Sequence, residues 1–218
     1  MKNPIADISQ RKAARVAGLG FLILFIAGAF LFFILNSTLE RGIPGDAAVI
    51  AAKNIKTNGL LFGIVVIIIL IMITCNMVVA LAFYVLLKPT YNDLALLATV
   101  IRFIYAIVFA INMVLLFVEP SLFSYLFLVG QIIYALHMLL LGYLVFKSDY
   151  IPRILGILLI IGGSVGYLIE VLTYFILQEY LWIASLGIVV AVIAEILLAC
   201  WFLLKAAKIS EMIEEKIK

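Results

Sequence analysis

An all-α bundle of six membrane-spanning helices is predicted by three features of this chain. Hydrophobic residues make up 67% of its 218 positions and charged residues only 12%. Six apolar runs, at 16–35, 60–87, 94–118, 122–146, 154–177 and 181–204, are each long enough to cross ~30 Å of hydrocarbon, which takes about 20 helical residues. Cations gather at alternate ends of these runs, the pattern of a chain threaded back and forth through a bilayer.

The first run, 16–35, is longer than a signal-peptide core and lacks a small-residue cleavage pattern, so it reads as span one. A loop at 36–59 follows. Within it Ile43-Pro44-Gly45 forms a turn and Asp46 is placed to cap a short helix beginning at Ala47. That helix is either a lid over an external opening or, the simpler reading, an interfacial helix that closes the loop. The remaining spans are joined tightly. Lys88-Pro89-Thr90-Tyr91-Asn92-Asp93, Glu119-Pro120-Ser121 and residues 148–152 supply the turns. Nothing is left over for a separate aqueous core, so residues 1–218 are expected to form one domain. The tail 205–218 sets Ile209, Met212, Ile213 and Ile217 on one side among Lys and Glu, as an amphipathic extension of span six.

Orientation follows from the cations. With the N-terminus inside, Lys2, Arg11, Lys12, Arg15, Lys88, Lys147, Arg153, Lys205, Lys208, Lys216 and Lys218 fall on the cytoplasmic side, against Arg41, Lys53 and Lys56 outside. Both termini are therefore expected in the cytoplasm and the chain in the cell membrane. This placement also accounts for the net charge of +3. Nucleic-acid binding has no support, and membrane lipids are the partners this composition demands. Cys75 and Cys200 lie inside apolar runs, where they read as small packing residues rather than a disulfide or metal pair.

A regularity marks the inner ends of the even spans. Tyr84, Tyr143 and Trp201 each precede a lysine by four residues, and Tyr91 and Tyr150 each follow one by three. An aromatic belt with snorkelling lysines explains this, and so does a hairpin repeated every ~59 residues.

The functional information sits in the few polar residues within the spans, because such groups are costly in hydrocarbon and turn inward to partners. At ~1.5 Å per residue, Arg102, His137 and Glu195 lie roughly 12 to 15 Å from the cytoplasmic ends, with Asn76 slightly deeper. Arg102 is permanently charged and needs an anion, and Glu195 is the carboxylate expected at its depth. An Arg102–Glu195 ion pair follows, with His137 and Asn76 adding hydrogen bonds. Arg102, Tyr105, Phe109 and Asn112 recur at helical spacing, so that face of span three should look into the bundle. An outer layer of Asn112, Gln131 and Glu170 is expected nearer the external surface. On span five Gly162, Gly166, Glu170 and Tyr174 recur every four residues, a stripe suited to close helix approach.

Catalytic patterns have weaker support. Gly162-Gly163-Ser164-Val165-Gly166 has the letters of a nucleophile elbow, but that motif needs a strand-to-helix turn and this segment reads as continuous helix. An intramembrane hydrolase would use His137 with Ser164 or with Glu195. One histidine gives little basis for zinc or haem, and no phosphate loop is present.

Three segments resemble the prokaryotic membrane family catalogued as domain-of-unknown-function family 4386. They are Ile43-Pro44-Gly45-Asp46-Ala47-Ala48, then residues 79–89 leading through 94–98 to Arg102, and residues 137–143 leading to 150–156. The resemblance spans most of residues 10 to 205 and implies a multi-pass membrane fold without an assigned activity. Members of that family tend to carry Asp where this chain has Asn76. Three functions stay open at this point. The polar cluster binds or passes a small solute, lipid or proton; it belongs to an intramembrane enzyme using His137; or it is structural, in an accessory subunit. The residues name no cofactor, and self-association into a homo-oligomer is compatible with all three.

Overall fold

The computed structural model describes residues 4–37, 47–175 and 181–206. The cap expected at Asp46, the cations Lys2 and Arg41, and the amphipathic tail from Lys208 to Lys218 lie outside the described residues. The chain forms helices α1 (Pro4–Ser37), α2 (Ala47–Thr57), α3 (Gly59–Leu87), α4 (Asn92–Val118), α5 (Pro120–Lys147), α6 (Arg153–Leu158), α7 (Gly166–Phe175) and α8 (Leu181–Lys205). A π-helical segment, Leu159–Val165, joins α6 to α7. Six of the resulting rods are long and apolar enough to cross a membrane: Gln10–Leu35, Gly59–Leu87, Asn92–Val118, Pro120–Lys147, Arg153–Phe175 and Leu186–Lys205.

The spans close into a ring. α1 packs on α3, α3 on α4, α4 on α5, α5 on the fifth span, that span on α8, and α8 back on α1. Six spans packed in sequence run alternately up and down, so the start of α1 and the end of α8 share one face, here the terminal face. The outward surface is apolar, with Phe33 71%, Val118 72% and Leu204 81% exposed. In water such a skin would drive aggregation. In a bilayer it is the solvated surface, and dispersion packing and interhelical polar contacts hold the helices together.

Close approach at glycines fixes the ring. A Cβ on Gly166 would stand 2.5 Å from the Gly187 carbonyl, and one on Gly156 would stand 2.6 Å from that of Gly142. The Gly162–Gly166 stripe therefore meets α8 as its spacing predicted, but span five is not the uninterrupted α-helix expected. Gly162 backs onto Val190 of α8 while the adjacent Gly163 backs onto Met138 of α5. Two neighbouring residues without side chains let the backbone be approached from both sides, and the wider π turn accommodates this. Beyond Gly166 the stripe does not continue onto α8: Glu170 reaches Gln131 of α5, and Tyr174 is 38% exposed.

The loop helix α2 lies against α3, α4 and α5 at the face opposite the termini. Ala51, Ala52 and Ile55 are buried there, and Lys56 donates to the Phe117 carbonyl at the end of α4. Asn58 then caps α3, accepting from the Leu61 amide at 3.1 Å. On the terminal face the turn after α5 is built inward: Ser148 bonds the Val145 carbonyl at 2.8 Å, and buried Tyr150 donates to the Leu86 carbonyl at 2.5 Å. Lys88 and Lys147 lie over the Tyr84 and Tyr143 rings, at 5.8 and 5.9 Å. Tyr91 instead stacks on Tyr143 at the rim, so Tyr91 and Tyr150 occupy different environments and do not correspond as members of a repeat.

Candidate functional site

The polar residues of the spans do turn inward, yet they divide into two groups. The first centres on Arg102, which is fully buried. Its Nη1 lies 2.9 Å from His137 Nε2, and His137 Nδ1 lies 3.0 Å from the Ala98 carbonyl on α4. A carbonyl can only accept, so the proton sits on Nδ1. Nε2 is then the acceptor for the guanidinium, and the ring is neutral. Phe21, Phe83 and Tyr134 surround the cation, with centroids 5.0, 6.0 and 5.5 Å from Cζ. Each ring face offers electron density to a desolvated charge, up to ~2 kcal/mol apiece.

The expected Arg102–Glu195 ion pair is not formed. Among the described residues neither Nε nor Nη2 of Arg102 has a hydrogen-bond partner. Tyr134 connects the two charges instead: its ring lies against the guanidinium, and its hydroxyl donates to Glu195 Oε1 at 3.3 Å. A tyrosine at four-residue spacing from Gly130 and Met138 reads as ordinary apolar packing, so residue spacing carries no signal for this role. The same holds for Tyr167, whose hydroxyl reaches the same oxygen at 3.2 Å. It is delivered there by the helical turn just beyond the π segment. Asn76 is buried but stands apart from Arg102, donating to the Met72 carbonyl of its own helix at 3.0 Å.

The outer layer forms in part. Gln131 donates to Glu170, whereas Asn112 is buried with Oδ1 unpartnered among the described residues. Ser164 is buried as well, but both His137 nitrogens are engaged by Arg102 and Ala98, so His137 has no free nitrogen to activate that hydroxyl. Cys75 and Cys200 are free thiols, and Cys200 faces outward rather than packing inside. Among the described residues no cluster of His, Cys, Asp and Glu could hold a metal ion.

The second group lines a chamber of about 510 Å³. Its polar end is made by Asn76, Tyr105, Gln131, Tyr134, Tyr167 and Glu195, and its apolar end by Leu24, Phe25, Phe32, Val189 and Val192. Helix divergence creates it. Near the terminal face α1 is clamped between two neighbours, for a Cβ on Gly18 would strike Leu203 and the Ala199 carbonyl, and one on Gly20 would strike Val79. Three turns further on, at Gly28, the nearest atom is Met72 Cε of α3 at 3.8 Å, and Gly28 and Ala29 of α1 and Ile188 and Val192 of α8 line the chamber between them. Phe25, Phe32 and Val189 at this gap are 42%, 70% and 53% exposed, and the chamber they line is open rather than enclosed. The chamber therefore opens sideways, at the depth of the acyl chains.

A closed ring of six apolar spans around an inward polar chamber defines a multi-pass membrane protein. The chain belongs to the family described as Domain of unknown function (DUF4386), whose model matches residues 16–119 and 119–206. It is also similar to an uncharacterized protein of Archaeoglobus fulgidus, 33% identical over 166 residues that make up 76% of this chain and 96% of that protein. No solved structure matches it.

Proposed function

We propose that the protein binds a small amphipathic molecule in the chamber, admitting it from the lipid between α1 and α8. The observation that carries this reading is the chamber's polarity gradient. Glu195 and its two tyrosine donors lie at the inner end, and the lipid-facing Phe25, Phe32 and Val189 at the mouth. A polar head would exchange hydration for Glu195, Asn76 and Gln131, while its tail leaves through the gap into the bilayer. Pockets of this size that combine apolar walls with a few convergent polar groups are usual for small ligands. The Arg102–His137 group is in this reading the wall behind the site. Orientation with both termini in the cytoplasm of the cell membrane rests on the excess of Lys and Arg at the terminal face.

Gly28→Phe tests it. At Gly28 there is room for a side chain to grow into the chamber, so the variant should fold and yet lose whatever co-purifies. Native mass spectrometry on protein extracted in mild detergent should find a bound small amphiphile on the parent chain and none on the variant. Identical spectra, with nothing bound to either or the same adduct on both, would refute the reading.

A further inference from the structure

We infer that the chamber's ligand carries a protonated amine as its head, held by Glu195 and the rings of Tyr105, Tyr134 and Tyr167. This inference rests on reading the chamber as a binding site and specifies the ligand class. Donors and acceptors around the chamber are unevenly occupied. Asn76 Nδ2 is engaged by the Met72 carbonyl, Gln131 Nε2 by Glu170, and the hydroxyl protons of Tyr134 and Tyr167 by Glu195. What these groups leave toward the open space is amide oxygens, tyrosine lone pairs and a carboxylate, beside neutral donors only, the second amide protons and the Tyr105 hydroxyl. Both tyrosine hydroxyls land on Oε1, leaving Glu195 Oε2 without a protein donor among the described residues.

The positive charge nearest the chamber does not reach it. Arg102 is fully buried and is not among the lining residues; the ring of Tyr134 screens it from the space. An anionic head would therefore meet a carboxylate and no exposed cation. A cationic head would meet the carboxylate and three tyrosine rings, with Tyr105 and Tyr134 centroids 4.6 Å apart and Tyr134 and Tyr167 centroids 5.0 Å apart. A carboxylate flanked by tyrosine hydroxyls and aromatic rings suits an ammonium group, which would form a charge-assisted hydrogen bond to the free Oε2 of Glu195. The apolar mouth takes the attached hydrocarbon.

The test compares dodecylamine, dodecanol and dodecanoate, which share a tail and differ in head, added to the protein in nanodiscs. Affinity is read as thermal stabilisation of the parent chain beyond that of Gly28→Phe, which removes simple partitioning into the bilayer. The expected ranking is amine, then alcohol, then carboxylate, and Glu195→Gln should weaken the amine roughly tenfold or more while leaving the alcohol nearly unchanged. If dodecanoate matches or exceeds dodecylamine, or if Glu195→Gln binds the amine as tightly as the parent, the amine assignment falls and the chamber reading stands. If no ligand gives a response sensitive to Gly28→Phe, the chamber reading itself falls. Should Glu195→Gln fail to fold, the ranking on the parent chain decides.

Discussion

Arg102 shows how far residue types alone can carry a site. The sequence places a permanent cation in hydrocarbon and demands a partner for it, and opposite charge at matching depth made Glu195 the natural choice. The fold answers differently because a cation can be stabilised by neutral groups: one imidazole acceptor and three ring faces. That choice depends on rotamers and helix rotation, which residue spacing does not encode. A double-mutant cycle separates the two arrangements. Arg102→Met with His137→Leu should show a coupling of about 1 kcal/mol or more, and Arg102→Met with Glu195→Gln distinctly less. His137→Leu alone should destabilise by ~3 kcal/mol, since it strips the last hydrogen-bond acceptor from a buried charge. Urea or thermal unfolding in detergent measures both.

Glycine contacts and one turn govern the elements. Gly166→Leu should disrupt the fit of the fifth span on α8 at a cost of about 3 kcal/mol or more, because the obstacle is backbone. Gly63→Ala has open space around it and should be neutral or stabilise by ~0.5–1 kcal/mol through helix propensity. Tyr150 lies outside the spans, and burial pushes its hydroxyl up to about 12, opposed by the Thr90 hydroxyl beside it. A folded value above the unfolded one of ~10 favours the protonated fold, so this contribution is complete below about pH 10 and is lost as pH rises toward 12. Tyr150→Phe should cost about 1 kcal/mol at neutral pH and remove that alkaline loss. At this scale much was legible. The six runs, their turns and the Gly162–Gly166 stripe sit where hydropathy and spacing put them, because span length is dictated by the bilayer. The π segment was not legible. It arises from α5 and α8 pressing on adjacent glycines, a tertiary demand absent from local sequence.

For the whole molecule, the proposed binding role rests on the way six similar rods fail to close evenly. Clamped at Gly18 and Gly20 and parted at Gly28, α1 leaves a gap toward the lipid beside the protein's most polar interior. The polar residues that sequence reading gathered into one layer, Asn76, Arg102, His137 and Glu195, are all found inside. Tyr134 sorts them into a sealed structural core and an open chamber. The most direct measurement is a density map of the chain purified with its native lipids. Elongated density is expected, with its head beside Glu195 and its tail passing between Phe25 and Val189. A chamber closed by direct α1–α8 packing, or ligand density only elsewhere on the surface, would contradict the proposed binding role.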